Sequence, residues 1–576
     1  MIAETRRSWW SASPPLGRRE IVSVVLGACV LALVMHWPLP LHLSGDVPKD
    51  LGDPLAEAWQ LAWDGHALLH QPLHFFQSNQ FFPAADTRAY VDGLIGYAPA
   101  GLIGNGPVAA VARHNALFFF AYAMAFVGGY LLARELGAGR AGAAVAGAAF
   151  AYAPYRLEHD AELNILSSGG IPLALFLGLR GYRQRRPWLV LGAWLVAAWQ
   201  VTLSLNLALP FAYLLGILAV VAAVSWTRRR WPLPRSLVVA TVAGAAAMAL
   251  VDGVVARPYL DVSREFGPRS VPEVDFYSTG PRAFLAAPRS NLLWGRATVG
   301  VRDGLDWVQE QTLFPGVAIL ALALVGAFAG SFPRRLRIAL AGGALVAGWL
   351  SLGLSTHGGW VLWPYRLLYD YAPGWDGVRV PERIWLLTML ALALLAADGA
   401  QALLRRVRPA RWATAVAAAL VGLVLLEGSG FHLGRDGSLI HLGADTPTYF
   451  GGPPHPAVPR MPPGQRGLPG PQMHLPLQSG EASSPRVVLW STDGFPKVTT
   501  GIGAYQPKSY NRLKEEMRGF PDRRSVSRLR ALGVRVVVLH PDLVAGTPWE
   551  HAAGRPLTGL ALRRRDGGGV VVYRLS

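Results

Sequence analysis

A single cysteine, Cys29, stands in 576 residues. A disulfide framework or a cysteine metal site within one chain is thereby excluded. Charge is also scarce, at 16% of residues, where a soluble globular chain carries roughly 25%. Lysine is nearly missing: only four of the 54 basic residues are Lys. With abundant Ala, Gly and Pro, that bias points to a high-GC bacterial proteome. No internal repeat is visible. What is present instead is 52% hydrophobic residues, blocked into runs such as 236–256 and 312–330. Runs of about 18 or more apolar residues read as transmembrane helices. The sequence therefore predicts an α-helical polytopic membrane protein.

The net charge of +18 could suggest nucleic acid, but the arginines argue otherwise. They fall in short clusters between apolar runs: Arg6/Arg7/Arg18/Arg19, Arg134/Arg140, Arg180/Arg183/Arg185/Arg186, Arg228/Arg229/Arg230/Arg235, Arg334/Arg335/Arg337 and Arg405/Arg406/Arg408/Arg411. Short loops rich in Lys and Arg stay cytoplasmic. Spans at 20–43, 114–133, 141–155, 168–181, 187–204, 206–227, 236–256, 312–332, 338–355, 383–403 and 412–429 put all six clusters on one side. About eleven spans are thus expected. The first is an uncleaved signal anchor, the N-terminus is cytoplasmic and the C-terminus is outside. Segment 93–111 is Gly/Pro-broken and expected to be re-entrant or interfacial. The membrane expected is the bacterial plasma membrane, and nucleic acid is not an expected partner.

The expected transmembrane domain covers 1–429, with outer loops 44–92, 156–167, 257–311 and 356–382. Residues 430–476 read as a linker, irregular and Pro/Gly-rich over 451–476. Residues 477–576 read as a small extracytoplasmic α/β domain. Its β-like runs are 486–491, 533–540 and 569–575, with helices near 508–518 and 522–532.

Four carboxylates, Asp46, Asp50, Asp53 and Glu57, fall within twelve positions of the first outer loop. Asp53 precedes Pro54, and Asp at a helix N-cap with Pro at the first helical position is a favoured start. Trp59, Trp63, His66 and His70 follow at spacings of three and four, predicting an amphipathic helix lying flat at the membrane surface. A plain helix cap and an interfacial Trp belt account for the same residues. Asp46 and Asp50 read as solvated or supporting acids, and His66 and His70 as exposed interfacial histidines.

A second acidic group follows the third span: Arg156, Glu158, His159, Asp160 and Glu162. One carboxylate of such a set can take a proton from an acceptor hydroxyl. Others can hold a hard divalent cation, Mg or Mn, through oxygen ligands. A polar loop balanced by Arg156 is the competing reading. Arg379 and Arg383 sit at the outer mouth of the tenth span, against the positive-inside trend. A phosphate would explain them, because the guanidinium fork binds it bidentately; snorkelling to headgroups would also. Arg257, at the end of the seventh span, is a similar candidate. The loop 257–311 carries Asp261, Glu265, Glu273, Asp275, Tyr277, Trp294 and Glu310 without a pattern that assigns a role.

This arrangement resembles the GT-C superfamily of polyprenol-phosphate-sugar-dependent glycosyltransferases. Gly52-Asp53-Pro54 looks like the Asp-Pro of oligosaccharyltransferase catalytic subunits, and Glu158 with Asp160 is similar to their second acidic motif. A closer likeness is to uncharacterised bacterial GT-C-like membrane proteins. It rests on Gly52 to Leu55, Trp59, Trp63 and His66; Arg156 and His159; Phe314 to Gly316; and Arg379, Pro381 and Arg383. Those proteins often have a second His three positions after His159, where this chain has Glu162.

The resemblance implies transfer of a sugar from a polyprenyl-phosphate donor to an envelope glycan, lipid or protein, with inversion at the anomeric carbon. Asp53 would be the base, and Arg379 or Arg383 would hold the lipid phosphate. Asp50, Glu57, Glu158, Asp160 and His159 would serve the acceptor or a metal. Membrane lipids would be the surroundings. A transporter or flippase of an envelope precursor is the rival reading, although few charges lie mid-span and Asp252 and Asp398 lie towards helix ends. A non-catalytic envelope-assembly scaffold is the third.

Overall fold

The computed structural model describes residues 13–229, 233–354, 363–433, 439–441, 455–477 and 484–575. Arg6, Arg7 and Arg230, with parts of the 356–382 loop and of the 430–476 linker, lie outside the described residues.

A helix stands at each expected span: Arg18–Met35, Gly106–Leu136, Arg140–Tyr152, Gly170–Gln184, Pro187–Leu203, Leu205–Arg229, Arg235–Phe266, Val317–Ala329, Arg334–Leu350, Trp385–Leu404 and Ala413–Glu427. Among the described residues, five helical segments are long and apolar enough to cross a membrane: Gly106–Leu136, Leu163–Gln184, Leu205–Ser225, Arg235–Phe266 and Pro381–Leu404. Pro187–Leu203, Val317–Ala329 and Ala413–Glu427 are apolar but shorter. The chain is thus mainly helical and multi-pass, while the full count of eleven crossings remains an expectation.

The chain folds as two compact units. The first comprises Met1–Pro40, Phe118–Ala256 and Gly267–Pro447. Small residues let its helices approach closely, the usual device where no hydrophobic force separates helix from lipid. A Cβ on Gly326 would lie 1.9 Å from the Leu395 carbonyl oxygen, and one on Gly399 1.9 Å from that of Leu322. Helices Val317–Ala329 and Trp385–Leu404 therefore touch backbone to backbone. Asp398 is buried, but its carboxylate accepts from the backbone N–H groups of Ser331 and Phe332 at 2.7 and 2.9 Å. It anchors a turn.

The second unit comprises Leu41–Leu117, Arg257–Phe266 and Thr448–Ser576. The first acidic loop thus folds with the C-terminal residues. Val47 N–H donates to Pro456 O at 3.2 Å and Val458 N–H to Gly45 O at 2.7 Å. Phe82 N–H donates to Val498 O at 2.9 Å, and Val498 N–H to Asn79 O at 2.7 Å. A four-stranded sheet runs in the order Gln472–Leu475, Val536–Leu539, Val570–Leu575, Leu562–Gly567. Its first pairing is parallel and the other two are antiparallel. Met473, Leu475, Val537, Leu539 and Tyr573 line one face and pack on Leu513 and Leu529 of the expected helical stretches, on Phe520 between them, and on Phe81 of the acidic loop.

Three expectations are corrected here. Residues 486–491 are not a strand: Ser484–Trp490 is a helix. A short apolar run is ambiguous by periodicity alone, and here Val488 packs on Trp59 and Trp63 while Leu489 packs on Leu55, Ala58 and Ala62. Gln472–Leu475, within the segment expected to be irregular, is a fully buried strand. Helix Asp53–His70 forms as expected, but its Trp stripe is a protein core: Trp59 and Trp63 are 0% and 3% exposed. Protein covers the face expected to meet lipid.

Segment 93–111 is a 3-10 turn at Ile95–Leu102 leading into helix Gly106–Leu136. The turn crosses helix Asp53–His70 where Gly65 meets Gly101; a Cβ on Gly65 would lie 2.2 Å from the Gly101 carbonyl carbon.

Candidate functional site

The second acidic group gathers partners from across the first unit. Helix Arg140–Tyr152 ends before Pro154, and a 3-10 turn, Pro154–His159, follows. The turn is interior. Arg156, Glu158, His159, Asp160 and Glu162 are all buried. Charges persist there because polar or charged neighbours surround them, since an isolated buried charge would be prohibitively costly. Tyr122 hydroxyl donates to Asp160. Arg156 donates to Ser168 Oγ at 3.1 Å and Leu166 O at 2.9 Å, with its guanidinium 5.1 Å from the centre of the Tyr122 ring. Glu158 acts electrostatically on Arg302, whose guanidinium burial pushes below its usual range while Glu158 opposes that shift.

The centre of the cluster is a chain of four side chains. His159 Nδ1 lies 2.6 Å from Glu162 Oε2. Arg383 Nη2 donates to Glu162 Oε1 and to Glu310 Oε1, both at 2.6 Å. The turn Pro381–Ile384 supplies Arg383 and the short helix Val308–Gln311 supplies Glu310.

His159, Glu162 and Glu310 offer ligand atoms within 4.8 Å of one another. One imidazole and two carboxylates suit a divalent cation. The expected acids Glu158 and Asp160 are not in this group. Arg383 already bonds both carboxylates, so a metal would have to share them with the guanidinium.

Arg379 is of a different kind. It is half-buried and, among the described residues, makes no hydrogen bond or ion pair. Its guanidinium lies 5.1 Å from the centre of the Tyr277 ring. Burial raises the Tyr277 hydroxyl above its usual range; Arg379 opposes the shift and Glu310 reinforces it. Tyr277 is therefore within electrostatic reach of both Arg379 and Glu310. Of the two expected phosphate arginines, Arg383 is committed to carboxylates and Arg379 is available.

The remaining expected residues belong to the second unit. Asp53 is exposed in the first turn of helix Asp53–His70, with Gly52 as the capping position. Asp50 Oδ1 accepts from Gly52 N–H at 2.8 Å, bracing that start. Glu57 is buried, with His114 Nε2 3.3 Å from its carboxylate. Arg257 is not at a helix end: helix Arg235–Phe266 continues past it and past Pro258, and its side chain is exposed. Sequence reasoning left Glu310 without a role and passed over Glu382, which is 1% exposed with neither carboxylate oxygen hydrogen-bonded among the described residues. Only its place one before Arg383 could have drawn attention to Glu382.

Long apolar helices whose irregular connections carry buried charges are the build of a multi-pass membrane protein. The cryo-EM structure of arabinofuranosyltransferase AftD from mycobacteria matches 98% of this chain with a TM-score of 0.57 at 16% sequence identity, which bears out the expected GT-C fold. This chain spans 42% of that protein's length. The Archaeoglobus fulgidus oligosaccharyltransferase in its apo form also matches, over 93% of this chain and 71% of that one, at 13% identity and a TM-score of 0.48. No family model and no curated protein matches the sequence.

Proposed function

We propose that this protein transfers a sugar from a polyprenyl-phosphate donor to an envelope glycan, lipid or protein on the outer face of the bacterial plasma membrane. The observation that carries the reading is Arg379: a half-buried guanidinium over the Tyr277 ring, without an anionic partner among the described residues. A lipid phosphate supplies the missing anion. Held by Arg379, it leaves as the glycosidic C–O bond breaks, and the guanidinium stabilises the charge that develops on it. Arg383 holds Glu162 and Glu310 in place rather than binding phosphate. Asp53 takes the proton of the acceptor hydroxyl as it attacks the anomeric carbon, and a single displacement inverts that centre. A divalent cation held by His159, Glu162 and Glu310 would add positive charge against the phosphate. The arginine clusters support a cytoplasmic N-terminus and an outer C-terminal region.

The test is Asp53→Asn in a strain lacking the chromosomal copy, with lipid-linked sugars and envelope glycans profiled. Accumulation of one lipid-linked sugar supports the transferase and names the donor. Normal glycans with the mutant protein correctly inserted would remove Asp53 as the base.

A further inference from the structure

Three aromatic side chains meet beside Arg379. The rings of Phe276 and Tyr277 are 5.1 Å apart, Phe276 and Trp307 5.9 Å, and Tyr277 and Trp307 6.0 Å. Phe276 is 45% exposed, and Tyr277 and Trp307 are half-buried, so faces remain accessible. The group is built from two separate segments, and Gln311 joins them. Its side-chain amide donates to Ser278 O at 2.8 Å and Phe276 O at 3.3 Å, while its Oε1 accepts from Trp307 N–H at 3.1 Å. Gln311 is 1% exposed. A buried amide spending its donors and acceptor on three backbone groups fixes the relative placement of the rings.

We infer that Phe276, Tyr277 and Trp307 form the platform on which the sugar of a glycosyl phosphate stacks, with Arg379 on its phosphate. The inference rests on the reading of Arg379 given above. A sugar ring has an apolar C–H face that suits an aromatic surface, and hydroxyls that need acceptors. Glu310 is within electrostatic reach of Tyr277, and a carboxylate is an acceptor that sugar hydroxyls can use. Cation, rings and acid supply what the phosphate, the ring and the hydroxyls of such a ligand each need. A purely lipid-facing aromatic belt would have no use for the buried Gln311 brace or for the adjacent carboxylate.

The full chain in nanodiscs of neutral phosphatidylcholine is titrated by calorimetry with farnesyl phosphate and with farnesyl-phosphoryl glucose, mannose and arabinofuranose. The corresponding free sugar 1-phosphates separate a lipid-borne from a soluble ligand. At least one sugar-bearing probe should bind about tenfold more tightly than farnesyl phosphate, or about 1.4 kcal/mol. Trp307→Leu and Tyr277→Leu should each remove most of that increment, Trp307→Phe should retain it, and Arg379→Gln should weaken sugar-bearing and sugar-free probes alike. Equal affinity for farnesyl phosphate and every sugar-bearing probe would overturn the platform and leave the phosphate site standing. An increment that survives both Leu variants would overturn it too. Absence of all binding, unchanged in Arg379→Gln, would overturn the reading of Arg379 and the platform together.

Discussion

Arg383 and Glu162 stand 221 positions apart in sequence, yet the guanidinium Nη2 donates to the Glu162 carboxylate at 2.6 Å. The same nitrogen reaches Glu310 at 2.6 Å. One cation therefore ties together three segments of the first unit, and its neighbour Arg379 is left to other use. Two arginines four residues apart should fail in different ways when removed.

Arg383→Leu strands two buried carboxylates. Breaking a buried pair by removing one partner costs about 3–5 kcal/mol. Thermal unfolding of the solubilised protein should show a large fall in Tm, or loss of folded protein, with Arg383→Lys intermediate because it lacks the planar fork.

Arg379→Gln should leave Tm nearly unchanged, since the arginine has no ion pair to lose among the described residues. Donor affinity should fall about tenfold or more, the scale of a charge-assisted contact of about 1.5–3 kcal/mol. Binding of farnesyl phosphate, measured beside Tm, separates this variant from Arg383→Leu.

Gly65→Ala should destabilise the second unit by about 1–3 kcal/mol, the usual cost of overpacking. The added Cβ would meet backbone, 2.2 Å from the Gly101 carbonyl carbon, and backbone yields less readily than a side chain. Gly27→Ala, where nothing lies within 4 Å, is the control. Limited proteolysis or hydrogen exchange localised to residues 53–102 reads the difference.

The second unit should also be acid-labile. His474 Nδ1 and His540 Nε2 lie 3.0 Å apart, both buried. Burial holds His474 well below its usual range and brings His540 down to about 4. The unfolded chain then binds more protons than the folded one between about pH 6.5 and 4, so stability is complete above about 6.5 and is lost as pH falls through that window. The loss for His540 is about 3 kcal/mol by pH 4. Chemical denaturation followed by Trp fluorescence across pH 4–7.5 should show that slope, and His540→Gln should flatten it.

Much of the helical fold was legible in the sequence. Apolar runs punctuated by arginines mark all eleven helices, because span length and loop charge are local signals. The second unit was not. Phe82 pairs with Val498 and Val47 with Pro456, contacts across roughly four hundred positions that leave no periodicity behind. The stripe Trp59/Trp63 was readable as amphipathic, but no pattern in those residues says whether lipid or Val488 covers it. Of the candidate site, Arg383, His159 and Glu162 stood out as charges in unusual places. Glu310 became meaningful only through Arg383, and Gln311 only through the turns it bridges.

The most direct test of the central claim uses the purified chain reconstituted in liposomes with polyprenyl-phosphate sugars and an envelope lipid or glycan extract. Release of polyprenyl phosphate together with glycosylated acceptor, abolished by Arg379→Gln and by Asp53→Asn, is the predicted result. Movement of the intact lipid-linked sugar or of a solute across the bilayer, with the donor bond never cleaved, would contradict it and establish a transporter.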